Sequence, residues 1–154
     1  MIKKSLIETP LSEITLRKYE KSELNKRDLV KKLCLSLGLL QPGDSRDIIV
    51  DIFYVLLEAR NKNELISSEE VKDRIIIFRK KEKLPLNGIA SSNVRRQIKR
   101  LRDIFLVEKI KNNYRITEFL PLSDIFQDKI IQFMLPNIIS RLRDFIKETD
   151  NKFN

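Results

Sequence analysis

The most informative segment of this 154-residue chain reads Ser91-Ser92-Asn93-Val94-Arg95-Arg96-Gln97-Ile98-Lys99-Arg100-Leu101-Arg102. Its apolar residues, with Phe105 beyond it, recur at i, i+4, i+7 and i+11, the narrow stripe of an amphipathic helix that docks on other helices. Ser91 or Ser92 is expected to cap this helix. The complementary face carries five cations and no acid between Arg95 and Arg102. Such cations repel one another, which predicts a polyanionic partner for this face.

The positive charge of the chain is concentrated around this segment. The chain holds 31 basic and 22 acidic residues, for a net charge of +9. Twelve of the basic residues and three of the acidic ones lie between Arg79 and Arg115, so this window carries the entire net charge. A solvated surface usually mixes both signs, whereas a nucleic-acid-binding surface concentrates one sign.

Three helices are expected before the basic one, each marked by a capping signal. Asn25 caps a helix with apolar positions from Leu29 to Leu37, and Gly38 is expected at its C′ position. Asp44 caps a helix over Ser45–Arg60, and Ser67 pairs with Glu70 in a capping box that starts the next one. Residues 1–24 are expected to form an arm whose apolar side chains are available to dock: Leu11, Ile14, Leu16 and Tyr19.

Two extended stretches, 106–110 and 114–119, follow the basic helix and predict a β-ribbon. A three-residue loop, Lys111 to Asn113, is favoured over a two-residue loop because it places the apolar side chains on one face of the ribbon and the polar side chains on the other. It places Ile110 opposite Tyr114 and Lys109 opposite Arg115. Two cations then face each other across the strands, which is favourable only beside phosphate.

The C-terminal segment is expected to be helical, with an interruption near Pro136 and a long apolar surface. A second copy of the chain covers that surface in the favoured interpretation, and a homodimer also matches two DNA half-sites. The predicted dimerisation residues are Ile130, Phe133, Ile138, Leu142 and Ile146. The alternative is that this segment packs intramolecularly against the Asn25–Leu37 helix.

The candidate DNA-binding residues lie on the basic helix and on the ribbon. N-terminal residues of a recognition helix enter the major groove most deeply, where Arg reads guanine and Asn reads adenine. Residues further along, and those of the ribbon, contact phosphates more often. The set is Ser92, Asn93, Arg95, Arg96, Lys99, Arg100, Arg102, Lys109, Lys111 and Arg115.

The order helix, connector, helix, turn, basic helix, two-stranded ribbon over residues 45–119 resembles the winged helix-turn-helix family. This predicts a mainly α fold with a small β-hairpin wing. Residues 1–43 form an N-terminal arm and helix, 44–120 the DNA-binding domain, and 121–154 a helical dimerisation segment. The segment Leu35-Ser36-Leu37-Gly38-Leu39-Leu40-Gln41-Pro42-Gly43-Asp44-Ser45-Arg46-Asp47, followed by this winged helix and a C-terminal helix, resembles the euryarchaeal archaellum regulator family. That resemblance implies an activator that binds DNA near a promoter and aids recruitment of basal transcription factors.

Absent residues argue against an enzyme. The chain has no His and a single Cys, Cys34, which lies in an apolar helical stretch and is expected to be a buried, inert thiol. Neither an imidazole catalyst nor a Cys or His metal site can form, so no cofactor and no metal are expected. Asp47, Asp51 and Glu58 could bind Mg²⁺ but are better explained as a solvated helix face.

The sequence therefore predicts a cytoplasmic, sequence-specific regulator of transcription that binds double-stranded DNA and has no membrane partner, since no apolar run reaches the ~18 residues of a span. Two alternatives remain open. One is a winged helix used as a protein-interaction module of the transcription or replication machinery. The other is a nucleoid protein that binds DNA without sequence preference.

Overall fold

A computed structural model describes residues 8, 10, 12–18 and 23–154. Helices dominate, and a small three-stranded antiparallel sheet accompanies them. In chain order the elements are α1 (Lys26–Ser36), α2 (Ile48–Asn61), β1 (Ile66–Ser67), α3 (Ser68–Lys81), α4 (Ser91–Asp103), β2 (Val107–Ile110) and β3 (Asn113–Ile116). After a 3-10 turn (Thr117–Phe119), a C-terminal helix runs without a break through α5 (Leu122–Ile125), a π-helical segment (Phe126–Met134) and α6 (Leu135–Phe153).

Helix α2 forms the centre of the core and is buried on nearly all sides. It packs against α1, α3, α4 and β3. Its buried apolar residues are Ile48, Ile49, Val50, Ile52, Phe53, Val55, Leu56 and Ala59. The predicted start of this helix is wrong: it begins at Ile48 rather than Ser45. Asp44 does not cap it, because its carboxylate instead accepts a hydrogen bond from the Arg46 backbone N–H at 2.9 Å, which forms a local turn.

The caps of α1 and α3 are confirmed, but the capping box of α3 is not closed, because the Glu70 carboxylate accepts a hydrogen bond from Arg74. The Asn25 side chain accepts a hydrogen bond from the Asp28 N–H at 2.8 Å, and Ser67 Oγ accepts one from the Glu70 N–H at 3.1 Å. Gly38, at φ 70°, ends α1 in a Schellman motif in which the N–H of Leu39 donates to the carbonyl of Cys34 at 2.9 Å. These caps are local in sequence, and this is why a pattern could find them.

The predicted cap of α4 is wrong. The helix begins at Ser91 after Ala90, and neither Ser91 nor Ser92 supplies a side-chain cap. Ser91 Oγ instead accepts a hydrogen bond from Lys72 Nζ at 3.1 Å, which ties the start of α4 to α3.

The sheet has the order β1-β3-β2, and its hairpin register differs from the prediction. Lys109 lies opposite Tyr114, and Glu108 lies opposite Arg115. The loop has two residues and begins with Lys111 at φ 57°. This register buries the side chains that the core needs, Val107, Tyr114 and Ile116, and it pairs a cation with an anion instead of two cations.

A buried ionic cluster joins α1, α2 and α3. Arg79 of α3 donates hydrogen bonds to Asp51 and to Asp47, the latter at 2.9 Å. Arg27 of α1 donates to the same two carboxylates, to Asp51 at 2.8 Å and to Asp47 at 3.0 Å. Arg79 and Asp51 are both 2% exposed. The interpretation of Asp47 and Asp51 as a solvated face is therefore wrong, because their charges are balanced by guanidinium groups inside the fold.

The pKa of Asp47 makes this cluster sensitive to acid. Burial raises the pKa of this carboxyl, but hydrogen bonds from Arg79 and Arg27 outweigh burial and hold it below its usual range. Since the folded-state pKa lies below the unfolded value of about 3.9, the ionised group stabilises the fold above that pH, and this contribution is lost as the pH falls through the folded-state pKa. We expect Asp47→Asn to flatten the acid limb of a plot of melting temperature against pH. An unchanged limb would contradict this assignment.

The N-terminal arm contacts α1 through hydrogen bonds of its backbone and polar side chains rather than through its apolar side chains. The Thr15 N–H donates to the Ser36 carbonyl at 2.9 Å, whereas Ile14 is 40% exposed and Leu16 fully exposed. The predicted docking of these two side chains is therefore wrong. Leu11 and Tyr19 lie outside the described residues.

The C-terminal helix buries one face in its first half and is exposed in its second. Ile125, Ile130 and Met134 join the same core as residues of α1 and α2, whereas residues 139–154 are all exposed. The intramolecular alternative, packing of this segment against α1, is therefore met only in part: the first half joins the core to which α1 contributes, and residues 139–154 stay exposed. Within the described part of the chain, no helix has the length and apolarity that a bilayer span requires.

The predicted interruption near Pro136 is also wrong. The helix reaches Pro136 through π turns, in which the Leu135 N–H donates to the carbonyl of Ile130. These turns are wider than α turns and reduce the clash between the proline ring and the carbonyl of the preceding turn.

Candidate nucleic-acid interface

Helix α4 presents a basic face to solvent because its apolar stripe is fully buried. Val94, Ile98 and Leu101 are 0% exposed and pack against α2, α3 and β2, which fixes the rotation of the helix. The opposite face carries exposed side chains only, namely Ser92, Arg95, Arg96, Lys99, Arg102 and Asp103. The i,i+4 ion pair between Lys99 and Asp103, at 3.1 Å, is exposed and therefore weak enough to exchange for a phosphate contact.

Asn93 has a structural role that sequence reasoning missed. Its Nδ2 donates to the Gly88 carbonyl at 2.7 Å, and its Oδ1 accepts from Arg96 at 2.6 Å and from Gln97 at 3.2 Å. With its carbonyl oxygen and one amide hydrogen engaged, this half-buried side chain is not free to bridge adenine as predicted. It positions Arg96 instead.

Arg100 is also not placed as the DNA contact that the sequence predicts. Its guanidinium donates to Gln97 Oε1 at 2.8 Å and points toward the carbonyl of Gly38, at 3.4 Å, on the side of the helix that faces α1. It is half-buried there, close to Cys34. Burial raises the pKa of the Cys34 thiol to about 12, and the charge of Arg100 opposes this only in part. Cys34 is therefore a buried, unreactive thiol, as predicted.

The hairpin supplies two free cations rather than three. Lys111 is exposed at its tip, and Lys109 is exposed with its Nζ 5.9 Å from the centre of the Tyr114 ring. Arg115 is half-buried, donates to Glu108 at 2.6 Å and lies 4.7 Å from the centre of the Phe119 ring. Because its charge is already balanced by Glu108, Arg115 is a weaker phosphate ligand than predicted.

A groove between α4 and the hairpin is bordered by a cation that sequence reasoning missed, Lys129 of the C-terminal helix. Lys99, Arg102, Lys109 and Lys129 line this groove together with Asp103 and Glu108. Lys129 Nζ lies 5.5 Å from the centre of the Phe105 ring, which packs edge-to-face on Phe133. No local pattern marks Lys129, because its place depends on how the C-terminal helix docks.

We define the basic surface as the exposed cations of α4, of the hairpin and of this groove: Arg95, Arg96, Lys99, Arg102, Lys109, Lys111 and Lys129. Nine of the twelve cations between Arg79 and Arg115 are exposed, six of them in this surface, and the other three are Lys80, Lys81 and Lys83. Those that are not exposed are Arg79, Arg100 and Arg115, each engaged inside the fold.

Two side-chain hydrogen bonds hold the connection between α3 and α4, and this connection precedes the helix that carries most of the basic surface. Arg79 donates to the Pro85 carbonyl at 2.8 Å, and Asn93 donates to the Gly88 carbonyl. Gly88 has φ 83°, and a Cβ added there would lie 3.1 Å from the Asn93 amide. The ionic cluster thus reaches the turn that precedes the basic helix.

The predicted dimerisation residues do not all lie on one surface. Ile130 is buried in the core and Ile138 is half-buried, while Phe133, Leu142 and Ile146 are each more than half exposed. The exposed half of the C-terminal helix is therefore the part that offers an apolar face.

Comparisons of the chain with protein-family models, with curated proteins and with solved structures found no match. Among the described residues, no group of three or more acidic, His or Cys side chains is arranged to hold a metal ion. The basic surface brings seven exposed cations together in this part of the chain.

Proposed function

We propose that this protein is a winged helix-turn-helix transcription regulator that binds double-stranded DNA through the basic surface. The observation that carries this proposal is the exposed face of α4, on which four cations stand together beside the β2–β3 hairpin. Concentrated positive charge on a helix next to a ribbon is the electrostatic footprint of a DNA-binding module.

The element order supports the winged-helix assignment. Strand β1 lies between α2 and α3 and pairs with β3, so the hairpin that follows α4 is anchored to the helical part of the fold. In this assignment α2, α3 and α4 form the three-helix unit, α4 is the recognition helix, and β2–β3 is the wing.

On DNA, the first turns of α4 enter the major groove and the wing contacts the backbone. Arg95 and Arg96 are exposed near the N-terminal end of α4, where a recognition helix reaches base edges, and each can bridge guanine O6 and N7. Lys109, Lys111 and Lys129 are placed for phosphates, which position the protein without reading sequence.

The alternative of a protein-interaction module is less favoured. A protein-binding face would expose large apolar side chains, and among the described residues those of α4 and of the hairpin are buried or half-buried. A nucleoid protein remains the second candidate function, because seven exposed cations suffice for binding without sequence preference.

The resemblance to the euryarchaeal archaellum regulator family extends the proposal. A protein of that kind acts in the cytoplasm as an activator near a promoter and recruits basal transcription factors.

Selection of bound duplexes from a random pool tests the proposal as a whole. A defined motif supports a regulator, an unspecific pool supports the nucleoid protein, and no bound DNA contradicts both.

The salt dependence of binding tests the basic surface directly. If about six of its cations contact phosphates, the logarithm of the association constant should fall against the logarithm of the salt concentration with a slope of about −5. Fluorescence anisotropy of a labelled duplex between 50 and 200 mM salt measures this slope. A slope near zero would show that the basic surface does not hold DNA.

A further inference from the structure

Within the described part of the chain, α6 carries an apolar seam that stays exposed from Ile139 onward. Residues 139–154 are all exposed, and three large apolar side chains are among them: Leu142 is 55%, Phe145 62% and Ile146 52% exposed. Most of the stability of an amphipathic helix in a protein comes from packing of its apolar face. In the described part of the chain, this seam lacks the packing that would stabilise it.

The seam has heptad spacing. With Leu142 at position a, the a positions are Leu135, Leu142 and Thr149, the d positions Ile138, Phe145 and Lys152, and the e positions Ile139, Ile146 and Phe153. The g positions are Arg141 and Glu148, one cation and one anion. Basic and acidic residues alternate on the remaining faces, as in a helix that packs on another helix rather than on an anionic surface.

We propose that two copies of this chain dimerise through α6 as an antiparallel helix pair. In an antiparallel pair, a positions face d positions, so Leu142 lies opposite the partner's Phe145 and Thr149 opposite the partner's Ile138. The same alignment places Arg141 beside the partner's Glu148, twice in the symmetric dimer, and Ile139 beside the partner's Ile146.

The charges argue against the parallel arrangement. There, g positions face e positions, so Arg141 would meet the partner's Ile146 and Glu148 the partner's Phe153. The two Lys152 side chains would also meet across the seam and repel each other. The antiparallel alignment removes this clash, because Lys152 lies opposite the partner's Leu135.

A charge swap tests this alignment without touching the apolar seam. Arg141→Glu should raise the dimer dissociation constant on the order of tenfold, since each of the two pairs changes from attraction to repulsion. Adding Glu148→Arg in the same chain should restore the dissociation constant to within about threefold of the original. The matched control, Arg143→Glu, makes the same charge change on the outer face of α6 and should leave dimerisation unchanged.

Sedimentation equilibrium of the full chain provides the measurement. A wild-type dimer with rescue by the double variant supports the proposal, and Leu142→Asp should yield a folded monomer because Leu142 is exposed in the single chain. A wild-type chain that stays monomeric at tens of micromolar overturns it and leaves the seam to a different partner. A dimer that the double variant does not rescue also overturns it.

The direction of the helices has an independent test. A spin label at Lys152→Cys should give an interchain distance of about 25 Å or more, because the 17 residue steps from Leu135 to Lys152 separate the two labelled sites along an α-helix. Helices in a parallel pair lie about 10 Å apart, and a label distance near that value overturns the antiparallel alignment. Cys34 is buried and does not compete for the label. The dimer does not depend on what the basic surface binds, so its failure and that of DNA binding are separate outcomes.

Discussion

Arg79→Met should lower the free energy of unfolding by about 3–5 kcal/mol, because removing one partner of a buried ion pair leaves an uncompensated charge. Arg79 donates to Asp51, to Asp47 and to the Pro85 carbonyl, and Asp51 is 2% exposed. The methionine retains most of the volume, so the loss reports on charge and hydrogen bonds rather than on a cavity. Urea unfolding followed by circular dichroism measures it.

Arg74→Met is the matched control for this substitution. Arg74 lies on the same helix and makes two ion pairs, with Glu64 and Glu70 at 3.0 Å, but both are partly exposed. We expect it to lower the free energy of unfolding by less than about 1 kcal/mol. Arg79→Lys should fall between the two, because an ammonium group cannot reach all three acceptors as the guanidinium does. Equal losses for Arg79→Met and Arg74→Met would show that the cluster contributes no more than a surface pair.

Much of the helical architecture follows from signals that are local in sequence. The caps at Asn25 and Ser67, the C′ glycine Gly38 and the stripe Val94–Ile98–Leu101 each depend on residues within a few positions of one another, and all are confirmed. The basic face of α4 was predictable for the same reason, since a buried stripe determines what the opposite face exposes.

What could not be predicted depends on contacts between distant residues. Arg79 belongs to a charged run, but it also follows Val71 and Ile75 at i+4 spacing on the buried side of α3. Its burial requires Asp47 and Asp51, which are about 30 residues away. The spacing of Asp47 and Asp51, four residues apart around the N-terminal turn of an otherwise apolar helix, was the available signal for a paired acidic site.

The same limit applies to the candidate interface. Asn93 and Arg100 have the residue types of DNA contacts, and only the positions of Gly88 and Gly38 show that they are engaged elsewhere. Lys129 enters the basic surface through docking of the C-terminal helix, which no periodicity reports. The hairpin register depends on a positive φ at Lys111, a conformation that non-glycine residues seldom adopt.

Replacing both Arg95 and Arg96 by Ala should weaken binding to the preferred DNA site by about 2–6 kcal/mol, since each base-reading Arg contributes about 1–3 kcal/mol. Both side chains are exposed, so the melting temperature should stay the same. On scrambled duplexes the loss should be several-fold smaller, because only the phosphate attraction of two charges is removed. Binding curves on preferred and scrambled duplexes at two salt concentrations measure both effects.

Lys111→Ala separates reading of bases from attraction to the backbone. Lys111 is exposed at the tip of the hairpin, away from the first turns of α4. Its removal should weaken all duplexes alike and reduce the salt slope by about one unit. Arg143→Ala, which removes an exposed cation of α6, controls for net charge and should leave both affinities unchanged. If the Arg95 and Arg96 double variant loses affinity equally on both duplexes, α4 holds phosphates without reading bases, and the nucleoid alternative replaces the regulator.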